Sequence, residues 1–323
     1  MTDVSVALLL YALGVCVLAP LLMRRGGWSE RAPRTALVLW LATCLSVVAA
    51  LTLGAVALVL SAGQTSTAVG GLLGVCATAL RGHYSVPWIP DAPVVGALAA
   101  GVILAWVGGQ VAVAFRRAAR TRRDHTFSLA LTARSGGPGG SVILTHDTPA
   151  VYCVPGRRPT VVLTTGALGA LAPDQLEAAL AHEQAHIRQR HHLFLAVANG
   201  LRRAFPFVPL FREAFTETTA LVELAADDAA VRHHGHRVLA EAVVAVAAPA
   251  PAPGGLGVGG STALRRVRRL VSADAPLGRA QRALAAVALL AMIAVPVLLV
   301  GAPLGHLGDH CPPAAGAPVT SQA

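Results

Sequence analysis

The chain has 323 residues, 54% hydrophobic and only 13% charged, with a mean hydropathy of +0.61. A soluble domain carries about a quarter charged residues, so this balance excludes an ordinary soluble protein and points to a membrane protein. The formal net charge is +10, every basic residue is arginine, and the arginines sit at the ends of apolar runs, which argues against direct nucleic-acid binding.

Four apolar runs, at about residues 4–23, 36–62, 92–115 and 283–303, hold no charged residue. Each is long enough to cross a hydrocarbon core of ~30 Å. A fifth run, residues 68–80, is short and Gly-rich and reads as an outer-surface or re-entrant segment. Arg24, Arg25, Arg31 and Arg34 follow the first run, Arg116 to Arg123 follow the third, and Arg265 to Arg282 precede the fourth. The positive-inside rule then places the N-terminus outside, the long segment after the third span in the cytosol, and the C-terminus outside. Asp3 stands where a signal peptide would be basic, so the first run reads as an uncleaved anchor. Cys76 and Cys311 would both face the oxidising side, where they are either paired or free.

In the cytosolic segment, residues 126–132, 142–145, 151–154 and 160–164 read as short strands of a small sheet. A helix opens at Ala172-Pro173-Asp174 and runs to about residue 203. Pro206 and Pro209 interrupt it, and helices over about 212–232 and 238–247 follow. His233-His234-Gly235-His236 resembles a helix C-terminus, while His191 and His192 read as solvated. Residues 249–260 form a Pro/Gly/Ala linker, and the Arg-rich stretch 263–270 reads as an interfacial helix on anionic lipid.

The first long cytosolic helix carries His182-Glu183-Gln184-Ala185-His186, an H-E-x-x-H motif. Residues four apart share a helix face, so His182 and His186 can reach one metal ion. Glu183, about 100° round the helix, would stand beside the metal as the general base for a zinc-bound water. His192 falls where a metzincin has its third histidine, but Gln189 replaces the required glycine and no Met-turn exists, so that reading is rejected. A carboxylate from the next helix fits better. Glu223 and Asp227 in Glu223-Leu224-Ala225-Ala226-Asp227 face the same way. Glu223 is therefore the expected third ligand, with Glu217 and Asp228 as alternatives, and Asp227 would hydrogen-bond a ligand histidine. The strand near residues 161–164 offers an edge for an extended peptide.

Together these features resemble the BlaR/MecR-type membrane zinc metallopeptidases, of gluzincin type. The resemblance rests on three spans before the domain, Ala181 to Arg188 with Arg190-His191, Glu223 to Asp227, and a span after the domain. HtpX-like quality-control proteases share the two helix motifs. The resemblance implies a signalling peptidase that cleaves a cytosolic repressor or itself. Family members that detect β-lactams carry an outer domain with a Ser-x-x-Lys motif after the fourth span. Here only residues 304–323 follow and the chain has no lysine, so covalent β-lactam sensing by this chain is excluded.

The expectation is thus an α-helical membrane protein with four transmembrane helices and an inserted α+β zincin-like cytosolic domain. Its divisions are a three-helix transmembrane region (1–123), a cytosolic zinc metallopeptidase domain (124–247) and a linker with an Arg-rich juxtamembrane segment (248–281). A fourth transmembrane helix (282–303) and a short extracytoplasmic tail (304–323) complete it. One zinc per chain, a protein or peptide substrate such as a transcriptional repressor, and a lipid bilayer are the expected partners.

Overall fold

The computed structural model describes residues 3–61, 92–156, 158–247, 259–272 and 277–305. The run at 68–80, Cys76, Cys311 and most of the linker and tail lie outside the described residues.

The elements in order are α1 (Asp3–Met23), a single turn α2 (Trp28–Arg31), α3 (Pro33–Ser61) and α4 (Ala92–Thr132). Next come β1 (Ala133–Ser135), β2 (Val142–Leu144), β3 (Val151–Val154), β4 (Thr160–Thr164) and α5 (Thr165–Ala170). The helices α6 (Pro173–Arg188), α7 (His191–Ala204), α8 (Pro209–His234), α9 (His236–Ala247), α10 (Gly259–Ser272) and α11 (Arg279–Gly305) complete the chain. Among the described residues α1, α3, α4 and α11 are long and apolar enough to cross a membrane, and they coincide with the four expected spans.

The chain divides into two compact units. In the first (1–15, 45–105 and 289–323), α1 and α3 are joined by Ser5 Oγ donating to the Gly54 carbonyl at 3.1 Å and by a 2.6 Å hydroxyl contact between Tyr11 and Ser46. Both bonds replace lost water contacts for hydroxyls in otherwise apolar helices.

The second unit (16–44 and 106–288) holds the sheet and the helices α5 to α10. Its strands run in the order β1-β2-β4-β3, with β2 and β4 parallel and both outer pairs antiparallel. The expected strand at 126–132 is absent, because α4 continues as one helix of 41 residues to Thr132. There Thr126, Ser128 and Thr132 turn their hydroxyls back to the carbonyls four residues earlier, and Leu129 is buried against Val154 and Val162. The alternation that suggested a strand is therefore a helix with one apolar side on the sheet.

Also corrected is the single helix at 172–203. It breaks after α6 at Gln189, and Arg190 adopts a left-handed conformation (φ 52°) before α7 starts. The open edge next to the motif helix is β3, since β4 is paired on both sides.

Small residues decide how closely the helices approach. Ala185 of α6 packs on Ala226 and Ala229 of α8 with almost no exposure, so the motif helix and the carboxylate helix lie in direct contact. Ala178, Ala230, Leu239, Ala240 and Leu270 form a second cluster that joins α6, α8, α9 and α10. Leu180 anchors the opposite side of α6 to Val161 and Leu163 of β4. Each buried leucine or valine contributes roughly 1.5–3 kcal/mol.

Candidate metal centre

Helix α6 starts on a proline whose missing N–H costs nothing in the first turn, and the Gln175 side chain accepts from the Ala172 N–H at 3.1 Å. Good helix formers then carry the chain to His182, which is buried at 5% exposure. On α8, Glu223 and Asp227 both turn toward α6, and Asp227 is wholly buried.

The donor atoms converge. His182 Nε2 and His186 Nε2 are 3.1 Å apart. Glu223 places Oε2 3.4 Å from His182 Nε2 and Oε1 3.5 Å from His186 Nε2. A tetrahedral ion with bonds of about 2.0–2.1 Å has donor–donor edges of about 3.3 Å. Two imidazole nitrogens and one carboxylate at this spacing therefore fit zinc with a fourth position left open. Among the described residues this trio is the only such cluster. The alternatives for the third ligand are otherwise engaged: Glu217 meets Arg265 at 3.4 Å, and Asp228 pairs with Arg269.

Both histidines of the cluster are oriented from behind. Asp227 Oδ1 accepts from His182 Nδ1 at 2.9 Å, which fixes the tautomer with Nε2 facing the cluster. His191, expected to be solvated, is instead buried at 3% exposure with its Nδ1 2.9 Å from His186 Nδ1. Its Nε2 lies 3.2 Å from Gln189 Oε1, which also accepts from Arg34 Nε at 3.1 Å. With Gln189 as the acceptor, the protons order themselves so that His186 donates through Nδ1 and keeps Nε2 free. The left-handed turn at Arg190 is what folds His191 back onto His186. His192 stays out of the cluster, in keeping with the rejected metzincin pattern.

A second residue unseen in the sequence is Arg266. Expected on a lipid surface, it forks onto Asp227, with Nε to Oδ2 at 2.9 Å and Nη2 to Oδ1 at 2.7 Å. Its Nη1 reaches Glu223 Oε2 at 3.3 Å. The neighbouring arginines dock as well: Arg265 pairs with Glu30 at 2.8 Å, and Arg269 donates to the Glu30 carbonyl at 2.6 Å. Helix α10 is thus bound to the protein through its arginines. The one sequence signal was spacing, since Arg266 and the buried Leu270 share a helix face.

Electrostatics follow from this packing. Burial lowers the His182 pKa, but the hydrogen bonds to Asp227 and Glu223 outweigh it and raise it to about 9. Burial dominates at His186 and takes it down to about 4. Burial would raise both carboxylates, yet His182 and the surrounding cations hold Glu223 and Asp227 at about 2. Glu183 is pushed up by burial, with the Cys153 thiol of β3 as a neighbour that draws it down in part. A carboxyl raised toward neutrality is a better base than an exposed one. An apolar recess of about 140 Å³ adjoins His182 and Glu183, walled by Val151, Leu239, Ala242 and Val243, with Arg266 at its rim. It matches a small or medium aliphatic side chain.

Residues 128–248 match the model of Peptidase family M48. The match supports the M48 metallopeptidase family for this segment, and with it a peptidase that uses zinc. It takes in His182, Glu183, His186, Glu223 and Asp227 and ends before Arg266. No curated protein and no solved structure matches the chain.

Proposed function

We propose that this chain is an integral-membrane zinc endopeptidase of the signalling kind, acting in the cytosol on a repressor protein or on itself. The observation that carries the peptidase reading is the donor triangle of His182, His186 and Glu223, with Asp227 orienting His182. Zinc bound there would supply Lewis acidity and a water of lowered pKa. Glu183 accepts the proton of the attacking water and returns it to the departing amine. An extended peptide is offered the free edge of β3, antiparallel or parallel to it, with one side chain in the aliphatic recess.

The signalling reading is supported by Glu30, in the connector between the first two candidate spans. It is tied through Arg265 and Arg269 to α8, the helix that bears Glu223. A change in the spans has a short mechanical route to a metal ligand.

The test is a survey of new protein N-termini in cells that express wild type or Glu183→Gln at equal levels. One or a few N-termini seen only with wild type establish a regulatory peptidase and identify its substrate. Many scattered ones favour an HtpX-like quality-control protease. Equal patterns from both forms sink the catalytic assignment of Glu183.

A further inference from the structure

A cleft of about 330 Å³ lies where α7, α8 and α4 meet, lined by Gln110, Arg202, Arg203, Pro206 and Arg212. None of these residues belongs to the donor cluster, and Arg212 precedes Glu223 by about three helical turns. Gly200 allows the close approach that shapes the cleft: a Cβ there would stand 2.6 Å from Val111 Cα. Trp106 Nε1 donates to the Ala204 carbonyl at 3.0 Å, which fastens the α7–α8 junction to α4 one turn before Gln110. Beside the cleft Phe207 projects with 92% of its surface exposed.

Three arginines line this cleft without an acidic partner among the described residues. Arg202 donates to Asn199 Oδ1 at 3.0 Å and lies over the Phe215 ring at 4.8 Å. Arg203 Nε is shut off from solvent with no hydrogen-bond partner. The adjacent acid, Glu213, is engaged by Arg24 at 3.3 Å. A buried donor left unmade is unfavourable, and guanidinium forks match phosphate oxygens in geometry and charge. From Ala92, the ~20 residues that cross a bilayer end near residue 111, so Gln110 and the cleft fall at the edge of the hydrocarbon core toward the headgroups, with Trp106 about one turn deeper. Arginines in a cleft with an exposed phenylalanine next in sequence to its Pro206 are a side-chain set that suits this interface.

We propose that the cleft binds the phosphate of an anionic lipid headgroup in the leaflet facing the peptidase domain. This rests on the membrane reading given above. The full-length chain is reconstituted in phosphatidylcholine nanodiscs with a trace of photoactivatable phosphatidylglycerol or, separately, photoactivatable phosphatidylcholine. Labelled peptides are then mapped by mass spectrometry. The anionic probe should concentrate on the segment from Asn199 to Phe215 and the neutral probe should not. Arg203→Gln combined with Arg212→Gln should cut that labelling by about fivefold or more for each charge removed. Should the double variant fail to fold, judged by lost zinc binding, the exposed Arg212→Gln alone carries the same expectation. Equal labelling by both probes, or labelling unchanged in the variants, overturns the proposal. Loss of labelling to excess glycerol phosphate also overturns it, because the cleft would then take soluble phosphate esters. Release of the chain from membranes by alkaline wash would instead defeat the membrane reading itself.

Discussion

His182 and His186 stand four residues apart on one helix and are driven in opposite directions, the first up to about 9 and the second down to about 4. On the proposed reading zinc requires both as neutral imidazoles, so its binding would expel a proton from His182. Zinc affinity should therefore rise about tenfold per pH unit from near neutrality until pH passes about 9, and then level off. A chelator-competition titration across pH checks this, and a flat profile would contradict it. The apo fold has its own pH window. The raised His182 contributes stability that is full below its unfolded value of 6.5 and is lost as pH climbs to about 9. The depressed Glu223 and Asp227 contribute above their ordinary values and lose it as pH falls toward about 2. Asp227→Asn should leave the three ligands in place and weaken zinc by roughly 10–100-fold, read by the same titration. The clustering of His182, His186 and Glu223 was legible in the sequence, because helical spacing alone brings His182 to His186 and Glu223 to Asp227. His191, Cys153 and Arg266 were not, since each reaches the site through a tertiary event: the turn at Arg190, the docking of β3, and the docking of α10.

At the scale of elements, the junction of α6 and α7 is under local strain that glycine would relieve. Arg190 holds φ at 52°, a region costly for a residue with a Cβ. Arg190→Gly should raise stability by up to ~1 kcal/mol and keep zinc binding, followed by thermal unfolding of the purified chain. Gly200 demands the reverse: Gly200→Leu would force side-chain atoms into the Val111 backbone and should cost about 1–3 kcal/mol in the same assay. The elements themselves were largely readable. β3, β4 and the start of α6 were marked by β-branched runs and by Pro173, and the four long apolar helices by composition. What misled was local pattern without its partner. Residues 126–132 alternate like a strand, yet Leu129 finds its apolar contact from a helix.

Across the whole molecule, charge is arranged so that arginines join segments far apart in the chain. Glu30 and Arg265 are 235 residues apart and meet at 2.8 Å; Arg266 and Asp227 are 39 apart and meet twice. Partly buried forked pairs of this kind hold far better than exposed ones. Glu30→Gln should loosen α10, and hydrogen exchange over residues 262–272 should then quicken while α6 stays protected. Unchanged exchange would remove Glu30 as a link to the spans. The attachment of α10 also bears on where a fragment carrying the donor cluster can end. The segment that matches the peptidase family stops at residue 248 and contains the whole donor cluster of His182, His186 and Glu223. A soluble fragment cut there would still leave behind the guanidinium that neutralises Asp227 and Glu223. A fragment that is to keep the side-chain contacts of the donor cluster as the full chain has them must be carried on through α10 to Ser272.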